Sequence, residues 1–285
     1  LNKTNQVKNS MLKNLILMTT LLVIGLTYAS ENKANGQASS KDFASNIEVL
    51  PEYIFTPTDK LADQVEQTLV TAKAEQKLAL FVLGAQWCHD SKALAKNFST
   101  PPMQQVLSKN YQVLFVDVGY LEKGFELVKK FKQPIYYGTP TVLVVDPSKS
   151  QLLNKLTMQK WLNANKVPLN EYLDYFNHLA EKPVVEAEKN KKMLAYIMKI
   201  NDFEQQQAIR LKKAYGVVGP LLKAYMKSDN KKASTTFVDK WQPVQDYRYN
   251  IQTDINALIS QAKSNIKTGN KNALEFPIYP AFAWE

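Results

Sequence analysis

Three apolar runs of strand length mark the middle of the chain: LALFVL at 78–83, VLFVDV at 113–118 and TVLVV at 141–145. The first, short and without polar alternation, suits a strand buried on both faces of a sheet; the other two read as further apolar strands, and the segments between them carry helical spacing. Ahead of the first run, Thr58 or Asp59 is placed to cap a helix whose face is Leu61, Val65, Leu69 and Ala72. After it, Leu94 and Phe98 stand four apart, and Pro101–Pro102 predicts a helix that breaks and restarts. GFELVKKF at 124–131 reads as a third helix, the Asp146–Pro147 turn leads into a fourth strand around Leu152 to Leu156, and LNEYLDYFNHLA closes with a helix. Strand–helix–strand followed by a hairpin and a helix implies an α/β fold: a mixed central sheet flanked by helices on both sides.

Beyond Pro183 the strand signals stop. MLAYIMKI at 193–200 is helical in composition, and Leu211, Tyr215, Val218, Leu222 and Tyr225 recur at helical spacing, with an interruption expected at Gly219–Pro220. Val244, Ile251, Ile255, Leu258, Ala262 and Ile266 continue the pattern. The reading is an all-helical C-terminal extension over 184–285, its apolar stripes packed on each other and on the preceding domain, with a coiled-coil dimer as the alternative. The last ten residues, FPIYPAFAWE, are too apolar to remain in water, so they pack on their own chain or on a partner.

The opening residues differ in kind. Lys3, Lys8 and Lys13 precede the apolar run LILMTTLLVIGL at 15–26, and small residues stand at Thr27 and Ala29. This is the pattern of a signal peptide over 1–29 rather than of a retained anchor, and it predicts export to a periplasmic or extracellular compartment, with no stable membrane insertion after cleavage. Residues 30–52 are polar and aperiodic, a linker; 53–183 is the expected α/β domain. In an oxidising compartment a single cysteine offers no internal disulfide, so stability must come from the core, for which 45% apolar residues in 285 suffice.

The formal charge of +10 falls to +7 once the three leading lysines are gone. Only Arg210 and Arg248 are arginines, and bidentate reading of bases or phosphates favours the guanidinium fork, so nucleic acid is not an expected partner. No glycine-rich phosphate loop stands out, and no cofactor is implied. Cys88, His89 and Asp90 are three consecutive ligand types with the other histidine, His178, far away, an arrangement that rarely converges on one metal ion.

The lone thiol lies in VLGAQWCHDSKAL, directly after the first strand and opening a helix, and GTPTVLVV follows about fifty residues later. This constellation resembles the thioredoxin superfamily over roughly residues 56–183. The resemblance implies a thioredoxin-like sheet, Cys88 as nucleophile, and a cis Thr139–Pro140 peptide facing it, with the Thr139 backbone free to pair with an extended substrate. Trp87 would offer a contact surface beside the sulfur. A helix N-terminus stabilises thiolate over thiol, protonated His89 would add to this, and Asp90 would oppose it. Two departures matter. Ser91 stands where the family has a second cysteine, and Val82 where many members carry a buried acid. Cys88 could then form a mixed disulfide but not resolve it internally, which implies monothiol exchange with protein or peptide thiols and disulfides, released by a small thiol reductant or a second substrate cysteine. Ser91 would remain able to donate a hydrogen bond to the thiolate. The alternative is a non-catalytic binding module that holds a protein partner in the cis-proline groove.

Overall fold

A computed structural model describes residues 52–181, 188–230, 232–270 and 272–285. The expected signal peptide, nearly all of the expected linker, and the expected boundary at 183 lie outside the described residues. Four strands form one sheet in the order β2-β1-β3-β4: β1 (Leu78–Gly84), β2 (Tyr111–Asp117), β3 (Thr141–Asp146) and β4 (Gln151–Leu152). β1 runs parallel to β2, from Leu78 opposite Tyr111 to Gly84 opposite Asp117, and antiparallel to β3, with Phe81 opposite Leu143. Every residue of β1 is buried, because the strand has a core on each side. Ala79, Phe81 and Leu83 point into one core, Leu80 and Val82 into the other, the two-residue alternation of a pleated strand.

On the second of these faces lie α2 (His89–Phe98), α3 (Pro101–Asn110) and α5 (Leu169–Glu181), with Leu94, Phe98, Met103, Leu107, Tyr172 and Phe176 among the buried side chains. Pro101 and Pro102 occupy the first turn of α3, where a missing N–H removes no helical hydrogen bond. The opposite face holds α1 (Leu61–Ala74), through Val65, Leu69 and Ala72, and α4 (Phe125–Lys130), through Leu127 and Val128. The first helix is capped at Lys60 rather than at either expected residue; Thr58 Oγ1 instead accepts the Lys60 N–H at 3.1 Å.

Two expectations are corrected. The fourth strand is only two residues long, because Asn154 takes over the pairing with its side chain: its Oδ1 accepts from Val144 N–H at 2.9 Å and its Nδ2 donates to the Val142 carbonyl at 2.9 Å. A 3-10 segment over Met158–Lys166 follows, burying Trp161 against Tyr172 and Phe176. The interruption expected at Gly219–Pro220 does not occur: α6 spans Lys191–Lys227 with Pro220 inside it, and α7 spans Thr235–Thr268 with Pro243 inside it.

The helices α6 and α7 pack on each other and on the α1/α4 side of the sheet, so that Ile200, Leu211, Tyr215, Val244, Ile251 and Leu258 share one core with Phe81 and Leu143. A buried carboxylate fixes the junction: Glu204 accepts from Tyr137 Oη at 2.6 Å, Gln133 Nε2 at 3.1 Å and Lys155 Nζ at 2.6 Å. The closing segment packs on its own chain. Arg210 grips Glu285 through two hydrogen bonds of 2.7 Å, and Tyr279 Oη donates to Asp254 at 2.7 Å.

Candidate active site

Cys88 is the N-cap of α2, with extended backbone, and is partly exposed. It is there because β1 ends at Gly84, where a side chain would collide with Phe55 and the Ser91 hydroxyl; the chain then turns through Ala85–Cys88, closed by a Cys88 N–H to Ala85 carbonyl bond of 3.1 Å. No side chain caps α2, so its first-turn N–H groups present the positive end of the helix at Cys88, with Asp90 in the same turn opposing it.

Across from it, the Thr139–Pro140 peptide is cis, and Cys88 Sγ donates to the Thr139 carbonyl oxygen at 3.3 Å. Thr141 Oγ1 holds the loop by donating to the Gly138 carbonyl at 2.7 Å. Among the described residues the Thr139 N–H makes no hydrogen bond, which leaves one donor beside the sulfur. Thr139 is nevertheless only 6% exposed, and Pro140 is buried, so little of this loop reaches the surface.

Trp87 is half-buried and fixed: its Nε1–H donates to the Gly119 carbonyl at 2.7 Å and its ring stacks over Tyr120, centroids 6.3 Å apart. The loop that accepts it is shaped by backbone geometry. Gly119 has φ +62, and a Cβ there would meet the Glu122 carboxylate; Leu121, with φ +76, is held in the left-handed region by near-complete burial. The Gly119 N–H in turn donates to Asp117 Oδ2 at 3.1 Å. Burial raises the Asp117 carboxyl above its ordinary range, against the lowering effect of that bond.

His89 is exposed at the first position of α2. Ser91 lies elsewhere than at the sulfur: it is fully buried, its Oγ accepts from Ala85 N–H at 3.4 Å, and among the described residues it makes no hydrogen bond to Cys88. Its role in the structure is to tie α2 to the end of β1. The structure therefore brings Cys88, Trp87, Thr139 and Pro140 together, with His89 at the rim and Ser91 beneath. Sequence reasoning missed two contributors, Tyr120 and Arg248, and the tethering role of a third, Asp90. Asp90 accepts from Asn165 N–H at 3.0 Å and so binds the start of α2 to the 3-10 segment. Tyr120 supports the indole. Arg248 of α7 lies against Gly138, its guanidinium carbon 3.5 Å from where a Cβ would be. A signal for Arg248 was present, as one of two arginines in a chain whose other cations are lysines.

A half-exposed cysteine capping the helix after the first strand of a mixed sheet, opposite a cis-proline loop that opens the third, defines a thioredoxin-like domain. Residues 60–147 match the family model described as thioredoxin-like, in keeping with the fold of this part of the chain. Among solved structures the chain is similar to the disulphide isomerase from Xylella fastidiosa Temecula1, at 29% sequence identity over 45% of this chain and 98% of that one, with a TM-score of 0.40. Comparison with curated proteins gives no match.

Proposed function

We propose that the protein carries out monothiol thiol–disulfide exchange through Cys88. In the first step the Cys88 thiolate attacks one sulfur of a substrate disulfide; the Cys88–substrate S–S bond forms as the substrate's own S–S bond breaks, and the departing thiolate takes up the proton that Cys88 gave up. In the second, another thiolate, from a small thiol or from a second cysteine of the same substrate, attacks the substrate sulfur and regenerates Cys88. When both thiols belong to one substrate, disulfides are shuffled with no net redox change. With a single cysteine in the chain, no internal thiol competes for the mixed disulfide.

The observation that carries this reading is the position of Cys88: a partly exposed residue at the start of α2, its Sγ 3.3 Å from the Thr139 carbonyl. A module retained only for binding would use the same loop, but the burial of Thr139 and Pro140 leaves little backbone there for an extended partner, whereas Cys88 is partly exposed. Export belongs to the same proposal and is supported by the three lysines and the apolar run that open the sequence.

The test is rescue of a scrambled-disulfide protein by the purified chain in the presence of a small thiol, with Cys88→Ala alongside and iodoacetamide labelling of the native protein. Rescue that disappears in the variant, together with ready alkylation, is the expected result. Equal rescue by both forms, or a thiol that labels only after unfolding, would move the assignment to the binding module.

A further inference from the structure

We propose that Arg248 is the anchor of an anion subsite beside Cys88, so that the thiol or disulfide exchanged there carries a carboxylate near its sulfur. The inference rests on the exchange reading above and adds the chemical class of the substrate.

Among the described residues, Arg248 is a charge without a counter-charge. Arg248 is 8% exposed, and its Nε is buried with no hydrogen-bond partner. Among the described residues no carboxylate forms an ion pair with it. Its polar neighbour is the Tyr215 hydroxyl, a neutral group whose proton is committed to the Tyr136 carbonyl at 3.2 Å. Glu122 and Asp117, the carboxylates whose charge reaches Tyr136, are already accepting the Tyr120 and Gly119 N–H groups. Trp241 and Tyr249 place their rings 5.2 Å and 5.6 Å from the guanidinium, which returns part of the lost hydration but less than a carboxylate would. A second buried polar atom at this junction, Tyr136 Oη, is likewise unpartnered.

The location gives the cation its use. Arg248 lies against Gly138, a position where any side chain would meet Leu162 at 2.9 Å and the guanidinium at 3.5 Å. The next residue, Thr139, takes the Cys88 S–H on its carbonyl and keeps an unused N–H. The guanidinium therefore lies against the residue next to the one whose carbonyl contacts the sulfur, within reach of a carboxylate carried on a small thiol. Arg248 does not touch the reacting sulfurs; it orients the molecule that brings one.

The test compares two disulfides of opposite character, the dianionic 5,5′-dithiobis(2-nitrobenzoate) and the uncharged 4,4′-dithiodipyridine, in their rate of reaction with Cys88. In Arg248→Met the rate ratio of anionic to neutral probe should fall about tenfold, the effect of one cation at this range in a partly buried site. Arg248→Lys should keep most of the preference, and Lys191→Gln, which removes one exposed charge elsewhere, should leave the ratio unchanged. A separate thermal-shift titration with 2-nitrobenzoate, which cannot exchange, should stabilise the intact protein and not the Arg248→Met form. If Cys88 reacts with neither disulfide the exchange reading fails, and the titration still decides for or against the subsite. An unchanged ratio in Arg248→Met, or equal stabilisation of both forms, overturns the subsite while leaving exchange standing.

Discussion

Gly219 of α6 meets the Tyr120 carbonyl so closely that a Cβ would stand 2.6 Å from the oxygen. The contact joins the helical extension to the loop that fixes the site, since Gly119 accepts the Trp87 indole N–H and Tyr120 stacks on its ring. Gly219→Ala must push a helix away from backbone, which has no rotamer to give. We expect a loss of about 1–3 kcal/mol in stability, read from the urea midpoint. A slower reaction of Cys88 with an aromatic disulfide should accompany it, because Trp87 loses its support. An Ala variant with unchanged midpoint and rate would mean that α6 does not hold this loop.

The Glu204 cluster should behave as a unit. Glu204 is 2% exposed and accepts from three donors, so Glu204→Leu removes a charge and leaves the Tyr137 hydroxyl buried without an acceptor. The expected loss is about 3–5 kcal/mol. Adding Tyr137→Phe should recover about 1–3 kcal/mol by removing the orphaned hydroxyl. Equilibrium unfolding of both variants checks this, and additive losses would show that the hydroxyl finds another partner.

The central sheet was readable because LALFVL, VLFVDV and TVLVV lie between cores on both faces, and such strands announce themselves by composition. The fourth strand was misread for a local reason: Leu152 to Leu156 has the apolar content of a strand, while the pairing passes after the Leu153 N–H to the Asn154 carboxamide. Gly219–Pro220 reads as an interruption because both residues break helices in isolation. Here the helix continues because Val218 and Leu222 are buried on either side and the glycine is needed for the approach to Tyr120. Cys88 could be placed at a helix start from its motif. The meeting of Arg248 with Gly138 depends on how two long helices dock, which no local pattern encodes.

Asp117 provides a pH test of the loop. Its folded-state value is raised, chiefly by burial, so the unfolded chain gives up this proton first as pH increases. The sign follows: its contribution is full below the ordinary value of 3.8 and declines as pH rises through the higher folded value. Asp117→Asn keeps an acceptor for the Gly119 N–H and removes that penalty. Urea midpoints across pH 3 to 7, roughly the carboxylate range, should show the variant gaining on the wild type as pH rises. A gap independent of pH would assign the effect to packing.

The closing segment depends on Arg210. Its Nε and one Nη donate to the two oxygens of Glu285, and its guanidinium lies 4.7 Å from the Tyr247 ring centroid and 4.6 Å from that of Phe282. Lysine cannot reproduce the planar fork or the stacking, so Arg210→Lys should release residues 276–285 almost as fully as Arg210→Ala. The hydrogen bonds from Arg210 hold the Glu285 carboxyl below its ordinary value of 4.5. Here the sign is opposite to that of Asp117: the stabilisation is present above the ordinary value and fades as pH falls through the lower folded one. Because the pair is solvent-exposed, the global midpoint should move little. The response belongs to local opening, measurable as hydrogen exchange at the Phe282 N–H, which donates to Glu285 at 2.9 Å. Protection at Phe282 should drop in both Arg210 variants while the β1 amides keep theirs, and retention of that protection in Arg210→Lys would show that charge alone docks the segment.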